Sequence, residues 1–583
     1  MLAEPSRHDS PDIELPLGSD RARNYRLWEI LPAALSLGLS GVVALVTIVD
    51  VDLAAWIILV LIAAAALRGL RGVVDAIRGY RAYRGAERTD WASLNAEIEQ
   101  AITTAHHGLR PPRSAAAGPH WVRRHQRELL TDIAASPDAY PLPSSVVHAV
   151  LVTAYNEPYE VVRQSFDALA ATTAPEQLVV ILATEERGGA EMRLTATRLE
   201  REYGYLFRAF LVSEHPDGLA HEIPGKGANL VWAGRRLAEW VRANDVDERA
   251  VVVTSLDCDN RPHAAYFDAV TYEFVRATDR SRVSFEPISL FTNNVWQAPA
   301  PMRVIAAGNS LWTLITTMRP FSLRNFASHS QPLAALRSMG WWSKRTIVED
   351  GHQFWRSWFH FDGRYRVVPI RVPITQDAVL TETLPGTLRA QFTQLSRWAY
   401  GVGDVPYVAV RLFSRDRRVP FWRTLAQFLI LLDSHLTLAV LSPLIMLGPW
   451  LPIVIVRALE WLRSLAPGPH GHGYLLVNVR HAVHIETFAD TLPGIIDTIE
   501  RIAMPGLFVT IILAYLLLPK RPAQYGWRRS VGMFLQWVFV PVTALGYFSA
   551  AWVSAQLRIA LGRYRERFDV TEKAVLAPDP ERA

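Results

Sequence analysis

Two kinds of apolar pattern divide this chain. Residues 30–49 form an almost uncharged run, about as long as a hydrocarbon core requires. Residues 53–67 repeat the pattern after the short acidic loop Asp50-Val51-Asp52, so the two runs read as a membrane hairpin. Arg21, Arg23 and Arg26 precede the first run, and Arg68, Arg71, Arg78, Arg81 and Arg84 follow the second. The positive-inside rule therefore puts both outer flanks in the cytosol. Runs 425–447 and 503–518 are the third and fourth spans. Lys520, Arg521, Arg528 and Arg529 hold the end of the fourth inside, which makes residues 466–500 an outer loop. Segment 531–555 is long enough to cross, but Gln536 and Pro541 interrupt it and basic clusters flank both ends. It is expected to lie at the cytosolic interface as a fifth, non-spanning segment. The first 26 residues are polar and no small-residue cleavage site follows, so no cleavable signal is expected.

Between the second and third spans the pattern changes to that of a water-soluble domain. Residues 148–153, 178–183 and 250–256 are short apolar runs, each ending in polar or acidic residues, with helical periodicity between them. Strands alternating with helices predict an α/β fold, a mostly parallel sheet with helices on both faces. Polar residues at three carboxyl ends place the ligand crevice there.

Composition narrows the partners. With 583 residues, 50% hydrophobic and 20% charged, the chain is too long for one compact domain and too apolar for a disordered one. A net charge of +5 on this length gives no polyanion-binding signal, so nucleic acid is not expected. The lone Cys258 excludes an intrachain disulfide and any cysteine-rich metal site. His470, His472, His481 and His484 have a spacing that fits no compact metal site.

The chemistry-bearing strings lie in the middle section. Asp257-Cys258-Asp259 directly follows an apolar, β-branched run, and two carboxylates at a strand end suit a hard divalent cation that takes its other ligands from phosphate and water. Pro224-Gly225-Lys226-Gly227-Ala228-Asn229 precedes an amphipathic helix over 230–241. Its glycines let backbone approach a ligand, while Lys226 and a helix N-terminus favour an anion, although a plain capped helix start has the same look. Glu349-Asp350 precedes an aromatic helix over 354–361. The pair can supply a general base, one residue holding the other, or merely complement the helix dipole. Gln394, Arg397 and Trp398 share one helix face, setting an indole for sugar stacking beside a cationic fork for phosphate.

Taken in this order, Thr-Ala-Tyr-Asn-Glu-Pro (153–158), Gly-Lys-Gly-Ala-Asn (225–229), Asp-Cys-Asp (257–259), Val-Glu-Asp (348–350) and Gln-Leu-Ser-Arg-Trp (394–398) resemble the membrane-integrated members of glycosyltransferase family 2, such as the bacterial cellulose synthase catalytic subunit and related polysaccharide synthases. Residues 568–573, Phe-Asp-Val-Thr-Glu-Lys, are similar to the gating-loop motif of cellulose synthases. The resemblance implies a cytosolic GT-A domain, Rossmann-like and mostly parallel, embedded between transmembrane helices. It implies that Asp257 and Asp259 hold Mg²⁺ or Mn²⁺ on the diphosphate of a nucleotide sugar, most readily a UDP-sugar, and that Asp350, beside Glu349, deprotonates the acceptor hydroxyl. Glu157 and Glu185 would border the nucleoside, and Lys226, Gln394, Arg397 and Trp398 the diphosphate and sugars. His329 and Ser330 stand in the acceptor loop, and Phe568, Val570, Thr571 and Lys573 would form the gate. Two departures stand out: Thr184-Glu185-Glu186 where many relatives carry an acidic Asp pair, and Asn325-Phe326-Ala327-Ser328-His329-Ser330-Gln331 where cellulose synthases carry Phe-Phe-Cys-Gly-Ser.

The expected organisation is then a cytosolic tail (1–26), a transmembrane hairpin (27–70), a cytosolic helical linker (71–144), the GT-A domain (145–410), transmembrane helices with their outer loop (411–518), a cytosolic loop with the interfacial helix (519–566) and a gate-like segment (567–583). The expected protein is a multi-pass plasma (inner) membrane enzyme. It is an inverting, metal-dependent glycosyltransferase acting on a growing polysaccharide or membrane-associated acceptor, with accessory export subunits as further partners. Two other readings remain open at this point: transfer of a single sugar to a polyprenyl-phosphate or glycolipid, and a non-catalytic membrane scaffold or transporter component.

Overall fold

The computed structural model describes residues 13–16, 21–107, 109, 117–464, 488–565 and 567–568. An eight-stranded sheet lies at its centre, in the order β3-β2-β1-β4-β7-β6-β8-β5. The strands are β1 (Val147–Thr153), β2 (Leu178–Glu185), β3 (Ala209–His215), β4 (Val251–Asp257), β5 (Arg261–Pro262), β6 (Val283–Leu290), β7 (Ser330–Pro332) and β8 (Arg366–Thr375). Every strand but β5 and β7 runs the same way. The α/β class, and its placement among long apolar helices, are as the sequence predicts.

The apolar runs are unbroken because the strands are covered on both faces. Along β1 and β2 alternate residues serve opposite cores: Val150, Val152, Val180 and Leu182 face one, and Ala149, Leu151, Val179 and Ile181 the other. Helices Tyr159–Ala170 and Tyr266–Arg276 close the first face and helix Lys226–Ala243 the second. Trp91, Leu94 and Ile98 of helix Trp91–His106, from the expected linker, belong to the first core. That part of the linker is thus packed into the domain it precedes.

Among the described residues five helices are long and apolar enough to cross a membrane by length and composition: Arg23–Val49, Val51–Glu87, Phe421–Leu459, Phe488–Leu516 and Trp527–Ala560. The last holds the stretch expected at the interface. It is interrupted by a 3-10 turn at Gln536–Phe539 and a π-helical stretch at Ala544–Ser549. The fourth helix begins at Phe488, inside the stretch expected as an outer loop, and the four loop histidines lie outside the described residues.

The second helix carries the domain. It runs unbroken for 37 residues, well past the apolar run at its start. In its polar half Gly79 lets helix Ala300–Thr317 approach so closely that an added Cβ would stand 2.5 Å from the Leu314 carbonyl oxygen. Arg319 donates to the buried Asp75 at 2.7 Å and ties the same two helices. A mainly aromatic and aliphatic core, including Trp355, Trp358, Leu395, Phe428 and Trp552, joins the domain to the third and fifth long helices.

Candidate active site

Five of the six strands that run the same way, all but β3, contribute at their carboxyl ends to one cleft of about 140 Å³. Tyr155 and Glu157 enter from the loop after β1, Glu185 from the end of β2, Asp257 and Asp259 from the end of β4, Phe291 after β6, and Gln376 and Asp377 after β8. Helix Lys226–Ala243 supplies Lys226, helix Glu349–His360 supplies Glu349 and Asp350, and helix Leu384–Ala399 supplies Gln394, Arg397 and Trp398.

Lys226 is the hub. Its ammonium lies 2.6 Å from Asp257 Oδ1 and 3.7 Å from Glu349 Oε1, and donates to the Ala327 carbonyl at 3.0 Å. Burial alone would pull this amine down, but Asp257, Glu349 and Asp350 hold it above its ordinary value. The motif around Lys226 is the first turn of the helix itself and not a loop before it, because apolar periodicity starts only where the helix turns away from the cleft. Gly225 has φ 150°, and a Cβ there would stand 2.7 Å from Phe568 Cβ. A Cβ on Gly227 would stand 2.4 Å from the Ser343 carbonyl oxygen. The two glycines thus let two different segments close on the lysine between them.

Glu349 and Asp350 form the first turn of their helix, so the helix dipole supports them. Glu349 is fully enclosed, and Asp350 Oδ1 accepts from the Gly351 amide at 2.6 Å. Burial pushes both carboxyls up, and Lys226 opposes the rise in each. This is the environment of a carboxylate that takes up a proton readily.

At the opposite end Glu157 accepts from the Tyr155 amide at 2.7 Å, and Glu185 holds the Arg187 guanidinium, which lies 4.7 Å over the Tyr155 ring. Tyr155 and Arg187 are functional candidates the sequence reading missed, as are Gln376 and Asp377. A polar pair directly after a strand was the signal for the latter, but β8 carries two prolines and does not read as a strand.

Near Trp398, whose ring centroid lies 6.1 Å from that of Phe291, Arg397 stacks 4.3 Å over the Phe568 ring. The carboxy-terminal segment therefore reaches the cleft at Phe568, while Val570, Thr571 and Lys573 lie outside the described residues.

His329 and Ser330 are not brought to the cleft surface. Ser330 lies in β7, hydrogen-bonded to Thr254 at 2.8 Å and Tyr266 at 3.0 Å, and His329 is bonded to the Phe326 carbonyl at 2.8 Å. Both are buried, and the loop's contribution to the cleft wall is Ala327.

No protein-family model matches the chain, and no curated protein matches it. Solved structures do. The chain is similar to the mannosyltransferase PcManGT from Pyrobaculum calidifontis in complex with GDP-Man and Mn²⁺, at 15% identity and TM-score 0.36, over 73% of this chain and 98% of that one. It is also similar to S. aureus TarS in complex with UDP-GlcNAc, at 9% identity and TM-score 0.31, over 72% and 93%. A third likeness is to GalNAc-T7 with UDP, GalNAc and Mn²⁺, at 10% identity and TM-score 0.28, over 50% and 58%. Likenesses at this level say nothing about substrate or chemistry.

The residues themselves fit a hard cation. Asp257 and Asp259 offer only oxygen donors, and Asp257 keeps 36% of its side chain exposed. Among the described residues no group of three or more His, Cys, Asp or Glu is placed to hold a metal. A cation here would depend on this pair plus oxygens of a ligand, which is how magnesium is usually held at phosphates.

Proposed function

We propose that the chain is a membrane-embedded, inverting glycosyltransferase of the GT-A type that moves a sugar from a nucleotide-sugar donor to a growing polysaccharide at the cytosolic face of the plasma membrane. One observation carries this reading: two carboxylate pairs share one cleft and are bridged by Lys226. Asp257 and Asp259 would hold Mg²⁺ or Mn²⁺, which would neutralise charge on the donor diphosphate. Lys226 and Arg397 add fixed positive charge where the leaving nucleoside diphosphate becomes an anion. Asp350, supported by Glu349, takes the proton of the acceptor hydroxyl. The hydroxyl oxygen then attacks the anomeric carbon from the side opposite the diphosphate and inverts that centre. Trp398 offers the acceptor sugar a flat apolar face. Phe568, against Gly225 and Arg397, supports a gate-like role for the carboxy-terminal segment.

The test is a screen of UDP- and GDP-sugars against the purified protein in detergent with Mg²⁺ or Mn²⁺. Release of nucleoside diphosphate from one donor class is expected. Binding without turnover of any of them, with or without acceptor glycans, would contradict the reading and favour a scaffold.

A further inference from the structure

A short piece of the amino-terminal tail is built into the domain, on the far side of the helix that carries Glu349 and Asp350. Ile13 is buried against Ala335 and Met339, and its carbonyl accepts from the Tyr407 hydroxyl at 2.7 Å. Glu14 follows. Its Oε2 lies 2.7 Å from Arg356, and its Oε1 accepts from the Ser343 hydroxyl and, at 3.0 Å, from the Leu15 amide. The Leu15 carbonyl in turn accepts from Arg345 at 3.1 Å.

Each Glu14 partner leads to the cleft. Arg356 is on the Glu349–His360 helix with 3% of its side chain exposed, and Glu14 is its one ion-pair partner among the described residues. Its other donors hold the carbonyls of Met339 at 2.9 Å and Trp341 at 3.4 Å. Trp341 has φ 69°, a left-handed backbone that a tryptophan adopts only when held. Ser343 is the residue whose carbonyl Gly227 must clear, and Lys344 accepts the Ile223 amide at 2.8 Å. Segment 339–348 is thus the wall between the lysine turn and the Glu349-Asp350 turn, and Glu14 grips it from behind at two points.

We propose that Glu14 is a positioning residue for the transfer reaction: through Arg356 and Ser343 it fixes segment 339–348 and so sets where Glu349 and Asp350 stand relative to Lys226. It touches no reacting atom. Arg356 left without Glu14 would be a buried guanidinium with no counter-charge, and the segment it organises would relax toward a conformation with less strain at Trp341. Misplacement of a catalytic group by about 1 Å can cost 100-fold in rate. The proposal rests on the assignment of Asp350 as base.

The experiment uses the full chain with Glu14→Gln and, separately, Ser343→Ala, which removes one grip and leaves the ion pair. Hydrogen exchange of amides 339–351 is measured beside kcat and nucleotide affinity. Glu14→Gln should speed exchange in that window alone and lower kcat about 10- to 100-fold, with nucleotide affinity changed much less. Ser343→Ala should move both in the same direction by a smaller factor, and the double variant should fall short of the product of the two. Unchanged exchange with unchanged kcat would overturn the proposal, and so would exchange that rises across the whole sheet. Exchange at 339–351 reads the grip without any turnover, so a chain that transfers no sugar would sink the proposed function while the window still shows whether Glu14 holds the wall.

Discussion

Two pairs of carboxylates face each other across Lys226, and their surroundings make them different reagents. Asp257 and Asp259 end a strand at the mouth of the cleft, with Asp257 36% exposed. Glu349, with 3% of its side chain exposed, and Asp350 open a helix in the interior wall, where burial raises both. Two half-buried carboxylates one residue apart line the cleft with oxygen atoms, which suits a cation and a diphosphate. A buried Glu349 beside a half-buried Asp350 on a helix start holds a proton more readily, which suits a base. Under the proposed function the same functional group takes two jobs by position alone.

The comparison breaks most completely at the outer pair. Asp259→Asn should abolish donor turnover, a loss of at least about 1000-fold, with membrane insertion and fold intact. Excess chelator on the unaltered protein should do the same. Full turnover in either would remove the metal from the account. At the inner pair, Asp350→Asn should lower kcat about 100- to 10,000-fold, the usual worth of general-base assistance. Near-normal transfer by that variant, measured as product release, would leave Glu349-Asp350 as a helix start and nothing more.

A smaller effect sharpens the contact between the pairs. Gly227→Ala would put a methyl group against the Ser343 carbonyl, which must shift and take the Lys226 turn with it. Turnover should drop about 10- to 100-fold and nucleotide titration should show weakened binding. Smallest is Trp398→Ala, which removes a stacking face without touching either pair. It should raise the acceptor KM about 10-fold or shorten products, with donor KM unchanged.

Physical reasons separate what was legible in the sequence from what was not. β1, β2 and β4 are continuous apolar runs because both their faces are covered, so pattern alone finds them. β6 and β8 contain prolines, β7 is three residues long and β5 only two, so half the sheet gives no such signal. Glu157, Glu185, Asp257 and Asp259 were found with their strands, although Tyr155 beside them was not; Gln376 and Asp377 were missed with theirs. The long second helix was read only over its apolar part, because hydropathy stops where the helix leaves the apolar phase, not where it ends. His329 and Ser330 entered as acceptor-loop residues through the resemblance, and sequence does not reveal that His329 is bonded to the Phe326 carbonyl and Ser330 to Thr254 and Tyr266. Glu14 gave no sign at all: a single acid in a polar tail becomes meaningful only beside Arg356.

The most direct test of the division between the pairs is nucleotide affinity, measured by calorimetry on Asp257→Asn and Asp350→Asn side by side in Mg²⁺ or Mn²⁺. The account predicts that Asp257→Asn loses measurable binding, whereas Asp350→Asn binds the nucleoside diphosphate within about 3-fold of the unaltered protein, since a base acts mainly in the transition state. Equal loss of binding in both variants would contradict it, because the two carboxylate pairs would then be one donor site and the cleft would have no separate base.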